Sequence, residues 1–429
     1  MHARQLYDKY LITSMVGDFQ PVEIAEAHGC TVTGADGRKF LDCFSGIAVC
    51  NAGHCHPRVV AAAKHQMDQF VHCGTYVYYN PRAAECAQLM AEITPGRLQK
   101  TFFGNSGAEV IEGALRIAKQ HTKRKEFVCL SQSFHGRTVA TLSITGNRSR
   151  KKGGGPYLPG VAFAPAPYCY RCPFQLSYPG CGCACAEHID YVLKYNTAGD
   201  VAAFIAEPVM GEGGIIVPPP EYFRIAVGHA RKDGALFLCD EVQSGFGRTG
   251  RLFAIEHYGV EPDILTSAKG IADGFPLAAF TVTPEIANAF TPGDHLSTFG
   301  GNPVSCAAAI ANIGVMRDEK LPENALARGE QFQKRLRAFQ QKCPLVGDVR
   351  GKGLMIGVEL IKDAAKTPAA DETKEVQRHC LERGMLVGTG GSLSNVIRIQ
   401  PPLVITAAEV DHACDVLEDA LRDVQAKRA

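Results

Sequence analysis

Tryptophan is absent, and neither sign of charge is in surplus: 45 lysines and arginines face 44 aspartates and glutamates, for a net charge of +1. That balance removes the electrostatic footing for a nucleic-acid surface, because affinity for a phosphate backbone comes from clustered cations. The longest basic run, Arg148 to Lys152, is short and runs into glycines. No apolar run reaches the roughly 18 residues that a membrane-spanning helix needs. The opening residues, MHARQLYDKYLITSMVGDF, carry charges and lack the continuous apolar centre of an export signal. What remains is the expectation of small-molecule chemistry in a cytoplasmic chain, with no nucleic acid and no membrane.

Cysteine, by contrast, is plentiful. Seventeen would suit a disulfide framework in a short secreted chain, but spread over 429 residues without an export signal they read as mostly reduced. Cys30, Cys43, Cys50, Cys129 and Cys239 lie in apolar or strand-like settings, where a free thiol behaves as a small buried hydrophobe. Cys169, Cys172, Cys181, Cys183 and Cys185 form a dense cluster whose C-x-C-x-C spacing is too tight for an ordinary zinc finger. That segment reads as a lid-like loop of free or partly oxidised thiols, and no metal is assigned to it. Nor is one assigned to His54 and His56, which lack a nearby third ligand and read as turn or packing residues. The length allows two or three domain-sized units, or one large domain with a satellite.

The informative stretch runs from Leu236 to Pro276, LFLCDEVQSGFGRTGRLFAIEHYGVEPDILTSAKGIADGFP. Two short apolar runs, LFLC and ILTSA, read as buried strands, and each delivers a reactive group at its carboxyl end: Asp240 and Lys269. Open α/β sheets place ligands beyond those ends. A lysine amine makes a Schiff base with an aldehyde, and a carboxylate can keep a pyridine nitrogen protonated, so the pair suits pyridoxal phosphate (PLP). Three more segments share this layout. The loop Gly104-Asn105-Ser106-Gly107 opens a helix with Val110, Ala114, Ile117 and Ala118 on one face, and its first amides and dipole favour a phosphate. A strand from Phe127 to Leu130 leads to Ser133-Phe134-His135-Gly136-Arg137. Ala202 to Pro208 is a buried strand ending on Glu207, ahead of a glycine-rich turn from Gly211 to Gly214.

The run Asp240-Glu241-Val242-Gln243, then Gly245 to Gly250 (GFGRTG), then Ala268-Lys269 and Gly274-Phe275-Pro276, resembles the signature of class III (ω-amino acid) aminotransferases. The resemblance covers nearly the whole chain. It implies PLP-dependent fold type I: a large α/β domain with a mostly parallel seven-stranded sheet, and a smaller α+β domain built from both chain ends. The expected divisions are residues 1–55 for the amino-terminal segment of the small domain, 56–315 for the large domain and 316–429 for the rest of the small one. It implies Lys269 as the residue bound to the cofactor, Asp240 on the ring nitrogen, Gln243 on the ring hydroxyl, Val242 under the ring and Phe134 stacked over it. Ser106, Gly107 and Ala108 would hold the phosphate, His135 would join the cofactor set, and Thr298 would reach across a dimer interface to the partner's phosphate. On the substrate side it implies Ile47, Tyr76, Arg137 for a distal carboxylate, Glu207 as a gate and Arg398, just before Pro401-Pro402, for an α-carboxylate.

These readings together predict an aminotransferase that moves an amino group from an ω-amino acid such as 4-aminobutyrate to a 2-oxo acid such as 2-oxoglutarate. Its active sites would be shared in a homodimer or a dimer of dimers. Ile47 and Arg137 stand where the dialkylglycine decarboxylases of this fold carry Gln and Met, which disfavours decarboxylation. Alanine–glyoxylate or ornithine transamination, and racemase or epimerase activity, use the same core residues and stay open. Because a buried arginine without a substrate carboxylate needs a counter-ion, Glu207 is expected to pair with Arg398 while the donor is bound.

Overall fold

Short apolar runs rich in Val, Ile, Phe and Ala, each bounded by turn residues, become the strands of one central sheet in the computed structural model, which describes residues 3–12 and 19–428. Among the described residues the sheet has seven strands: β1 Lys100–Gly104, β2 Glu126–Leu130, β3 Val161–Ala164, β4 Val201–Ala206, β5 Leu236–Asp240, β6 Ile264–Ser267 and β7 Ala278–Val282. Their order is β1-β7-β6-β5-β4-β2-β3, with only β7 antiparallel to its neighbours. Every residue of β4, β6 and β7 is buried, as sheets covered on both faces require. Each such Val, Ile or Phe contributes about 1.5–3 kcal/mol by leaving water.

The Gly107–Thr122 helix buries Val110, Ala114, Ile117 and Ala118, the predicted face, and packs over β6 and β7. Ser106 caps it, its Oγ accepting from the Glu109 amide at 3.3 Å. Because β1, β2, β4, β5 and β6 all run the same way into loops, five carboxyl ends open on one edge of the sheet.

Both chain ends build a second block. Thr31–Gly34 and Lys39–Asp42 form an antiparallel hairpin, and Met385–Leu386 pairs in parallel with the latter strand. A four-stranded antiparallel sheet follows, in the order Val346–Lys352, Met355–Leu360, Val396–Ile399, Gly388–Gly390. The Ala407–Ala426 helix closes it behind a capping box of Thr406 and Glu409. The division expected at 315/316 falls inside the helix Pro303–Asp318, whose hydrogen-bonded backbone is continuous there. Of the amino-terminal stretch read as lacking an export signal, residues 1–2 and 13–18 lie outside the described residues, and Ala3–Tyr10 is a short helix with no buried side chain. No described helix is long and apolar enough to cross a membrane.

The cysteine-dense segment is not a free lid. Arg171 Nε donates to buried Glu359 at 2.5 Å, the Tyr168 hydroxyl donates to the same carboxylate, and Cys183 is fully buried at the start of the Ala184–Tyr195 helix. Its five thiols are free and line one cavity of about 20 Å³, enough for about one water. Among the described residues no group of three or more His, Cys, Asp or Glu is placed to hold a metal ion.

His54 binds Asp42 through Nε2 at 2.7 Å, and the same carboxylate caps the amides of Phe44 and Ser45 at 2.8 and 2.9 Å. The bond to Asp42, with a further one to Cys50, pushes the imidazole from 6.5 up to about 10. A folded value above the unfolded one stabilises fully below pH 6.5, and that contribution is lost as the pH rises towards 10. His54→Gln should therefore cost about 1.5–3 kcal/mol at pH 6, the range for a charged hydrogen bond. Urea unfolding of both proteins near neutral and strongly alkaline pH checks this: the gap should close at alkaline pH, and a pH-independent gap would contradict it.

Candidate active site

The five strand ends converge on a cavity of about 370 Å³, within the range of small-molecule sites. β1 delivers Asn105, Ser106 and Gly107; β2 delivers Phe134 and His135; β4 delivers Glu207; β5 delivers Asp240, Val242 and Gln243; β6 delivers Lys269.

Asp240 is buried. Its Oδ2 meets His135 Nδ1 at 2.7 Å, while Oδ1 accepts from the Val242 amide at 3.0 Å and Thr266 Oγ1 at 3.4 Å. Burial disfavours the charged imidazole, but the Asp240 bond and the charges of Asp240 and Glu207 outweigh it and hold His135 above its ordinary value. The result is a carboxylate fixed in orientation by three donors, its remaining capacity aimed into the cavity.

Lys269 sits half-buried with φ of 43°, in the left-handed region that non-glycine residues rarely occupy. Such strain persists where surrounding structure fixes it, and it sets the amine against the cavity rather than along the sheet. Burial lowers its proton affinity, although Asp240, Glu212 and Glu207 pull the other way. A lysine shifted downwards spends more of its time as the nucleophilic free amine.

Glu207 is buried, and both of its oxygens are taken by backbone: Phe134 N at 3.0 Å and Gly211 N at 2.9 Å. Burial lifts its carboxyl from 4.5 to about 7 against the pull of His135. Glu207 and Arg398, expected to pair while the donor is bound, are not paired in this structure. Arg398, buried on the Val396–Ile399 strand, donates from Nη1 to Glu212 Oε1 at 2.6 Å. The reason lies in the turn between them. Met210 and Ile216 bridge antiparallel and carry Glu212 out from the sheet edge, where its carbonyl accepts from Gly391 N at 3.2 Å and its carboxylate faces the small-domain strand. Arg150 Nη2 takes the other Glu212 oxygen at 2.7 Å. Burial alone would raise this carboxyl, but the two arginines bring it down from 4.5 to about 2.

The residues suit PLP. The first amides of the Gly107–Thr122 helix have no intrahelical acceptor, and a Cβ on Gly107 would come within 2.9 Å of Val242, so only glycine leaves the cradle open. Val242 and Phe134 supply apolar surface, Asp240 an anchored anion and Lys269 an amine. His135 Nε2 is buried without a partner among the described residues.

Several expected site residues do not line this cavity in the single chain. Ile47 is exposed, in a turn where Ser45, Gly46, Ile47 and Ala48 all have positive φ (46°, 63°, 71° and 58°). It is Val49, two residues on, that lines the cavity. Tyr76 and Thr298 are also exposed and outside the cavity lining, although Ser297, beside Thr298, accepts from Asn105 Nδ2 at 3.1 Å and donates to Glu109. Arg137 is exposed, its guanidinium 5.4 Å from the Phe134 ring centroid. Sequence reasoning missed Glu212, Val49, Asn105 and Phe275. For Glu212 the signal was there: a lone acid among the three glycines of the turn after Glu207.

This sheet, this cavity and this pairing of lysine with an anchored aspartate define a PLP-dependent transferase. The chain belongs to the class III aminotransferase family, whose description, Aminotransferase class-III, fits residues 13–421. It is 42% identical to the acetylornithine aminotransferase of Methanothermobacter thermautotrophicus, over 94% of this chain and 95% of that one. It is 39% identical to the 4-aminobutyrate aminotransferase of Mycobacterium leprae, over 95% of this chain and 92% of that one. Among solved structures, the ornithine aminotransferase of Toxoplasma gondii, described with partial occupancy of PLP at its active site, superposes with a TM-score of 0.88 at 30% identity, covering 99% of this chain and 94% of that one.

Proposed function

We propose that the enzyme transfers an amino group from an ω-amino acid of the 4-aminobutyrate class to a 2-oxo acid such as 2-oxoglutarate. The observation that carries this reading is the Arg398–Glu212 ion pair at the cavity edge. An ω-amino acid presents no α-carboxylate, so a pocket that must also take a 2-oxo acid needs an arginine it can neutralise when idle. Glu212 is in place to do that.

When bound, PLP supplies an aldehyde to hold the amine and a ring to take up the electron pair released at the substrate carbon. Asp240, locked by His135, Thr266 and the Val242 amide, keeps a proton on the ring nitrogen. Lys269 would hold the cofactor, and its amine would be the base that moves a proton at the substrate carbon. The Gly107 and Ala108 amides would hold the phosphate, Gln243 would donate to or accept from the ring hydroxyl, and Val242 and Phe134 would supply apolar surface to the ring. Arg137, exposed against the Phe134 ring and next in the chain to the cavity-lining Gly136, would take the distal carboxylate at the cavity mouth, and Arg398 would leave Glu212 for the α-carboxylate of the oxo acid.

A homodimer completes the pocket on this reading. Phe70, Val71, Tyr76, Val77, Tyr78, Tyr79, Leu296 and Phe299 are all exposed, and the contact of the His72 and Phe299 rings at 5.5 Å joins the two stretches into an apolar patch of the kind that marks an interaction surface. Thr298 and Tyr76 lie within it, where a second copy would bring them to the partner's cavity. A cytoplasmic address fits the free thiols.

Arg398→Ala should slow the oxo-acid half-reaction about 10- to 150-fold, the worth of charged hydrogen bonds of about 1.5–3 kcal/mol, and leave the ω-amine half nearly unchanged. Arg137→Ala should slow both halves. Single-turnover absorbance with 4-aminobutyrate and with 2-oxoglutarate decides it. Equal losses in both halves for Arg398→Ala would remove the reading, and a parent enzyme inert to 4-aminobutyrate and its homologues would move the donor to α-amino acids.

A further inference from the structure

Glu212 has two cationic partners, where an exchange between Glu212 and Arg398 alone would need one. Its Oε1 accepts from Arg398 and its Oε2 from Arg150, at 2.6 and 2.7 Å. Arg150 comes from the short Arg148–Lys151 helix, in the basic run that is too brief for a nucleic-acid surface. Its side chain is 31% exposed, while that of Glu212 is only 12% exposed. The backbone fixes that short helix through the Asn147 cap, whose side chain accepts from Ser149 N at 3.1 Å.

The second arginine changes what happens when Arg398 leaves. A buried carboxylate stripped of its only counter-ion is strongly destabilised, and that cost would oppose every binding event that draws Arg398 away. With Arg150 in place Glu212 is never left unpaired. Arg150 also has a donor to spare: its Nε is buried without a partner among the described residues. A guanidinium fork can use such a donor to engage a carboxylate side-on with two parallel bonds.

We infer that Arg150 is the positioning residue that lets one pocket alternate between substrates with and without an α-carboxylate, by holding Glu212 while Arg398 turns to the substrate. The inference rests on the proposed exchange of Arg398 between Glu212 and the oxo acid. Arg150 itself touches neither substrate nor cofactor. Its loss therefore acts selectively. Without it, Arg398 stays with Glu212, so ligands bearing an α-carboxylate bind poorly, while ω-amino acids, which leave the ion pair intact, are unaffected.

The test uses the holoenzyme and five variants: Arg150→Met, Arg150→Lys, Arg398→Met, Glu212→Gln, and Arg150→Met combined with Glu212→Gln. Calorimetric dissociation constants for 2-oxoglutarate are measured alongside single-turnover rates with 4-aminobutyrate. Arg150→Met should weaken 2-oxoglutarate binding by about tenfold or more and change the 4-aminobutyrate rate by less than about twofold. Arg150→Lys, which keeps a charge but not the fork, should recover part of the loss. In the Glu212→Gln background no buried anion remains to be held, so adding Arg150→Met should no longer weaken 2-oxoglutarate binding. An Arg150→Met enzyme that binds 2-oxoglutarate as the parent does, that loses both substrates equally, or that keeps its full penalty in the Glu212→Gln background would overturn the inference. Arg398→Met separates the two levels. If it discriminates between the substrates and Arg150→Met does not, only the role of Arg150 fails; if Arg398→Met itself does not discriminate, the exchange fails first.

Discussion

Lys269→Ala is expected to abolish multiple turnover while leaving a folded protein that still holds PLP without a covalent link. The loss follows from two functions that reside in one amine. On the proposed assignment Lys269 would be the covalent anchor of the cofactor and also the proton carrier, and positioned general bases accelerate such a transfer about 10²–10⁴-fold. Neither function has a substitute nearby. No second amine lines the cavity among the described residues, and its carboxylates are already bound to backbone, histidine or arginine. Retention of the cofactor follows because the helix start at Gly107, the Val242 and Phe134 surfaces and Asp240 are untouched. The check is a paired measurement of bound PLP after gel filtration and of steady-state transamination. A variant with the parent's turnover, or one that no longer binds PLP at all, would contradict this assignment.

Asp240→Ala is the other change with a large effect, and its consequence spreads further. Asp240 is bound to His135, Thr266 and the Val242 amide, and His135 in turn is held above its ordinary pKa by Asp240 and Glu207 against burial. Removing the carboxylate strips the ring nitrogen of its counter-ion and leaves a buried imidazole with burial as its dominant influence, so His135 should shift downwards and become neutral. Cofactor affinity should fall about 10- to 100-fold, the worth of one or more charged hydrogen bonds in a desolvated site. Proton transfer at the substrate carbon should slow by about 10²-fold or more even at saturating PLP, since a neutral ring takes up less charge. Fluorescence titration of PLP and single-turnover rates at saturation separate the two losses. An unchanged single-turnover rate at saturation would remove Asp240 from the chemistry and leave it only a binding role.

The sheet was legible because its strands are short apolar runs that end on polar residues, a pattern that survives without any knowledge of neighbours. For the same reason Asp240, Lys269, Glu207 and the Ser106–Ala108 helix start could be placed at strand ends from the sequence. Glu212 could not be ranked above Glu207 that way. Which acid meets Arg398 depends on the Met210–Ile216 bridge, which turns one carboxylate towards the second block while the other is consumed by two amides. The partner of His54 was hidden for a similar reason: Asp42 lies on a hairpin strand, and only the fold of the positive-φ turn between them brings the two together. Val49 lines the cavity because that turn is left-handed, and linear spacing carries no trace of handedness. The exposure of Arg137, Tyr76 and Thr298 in a single chain is of another kind, since the proposed roles of Tyr76 and Thr298 involve a second copy.

The claim on which everything else stands is that Lys269, poised at the end of β6, is the residue that takes the cofactor. Reducing the PLP-loaded enzyme with borohydride makes that bond permanent, and peptide mapping by mass spectrometry then reads its position. The account predicts one pyridoxyl group per chain, on Lys269 within the Ile264–Pro276 stretch; a label on any other lysine, or a reduced enzyme carrying none, would contradict it.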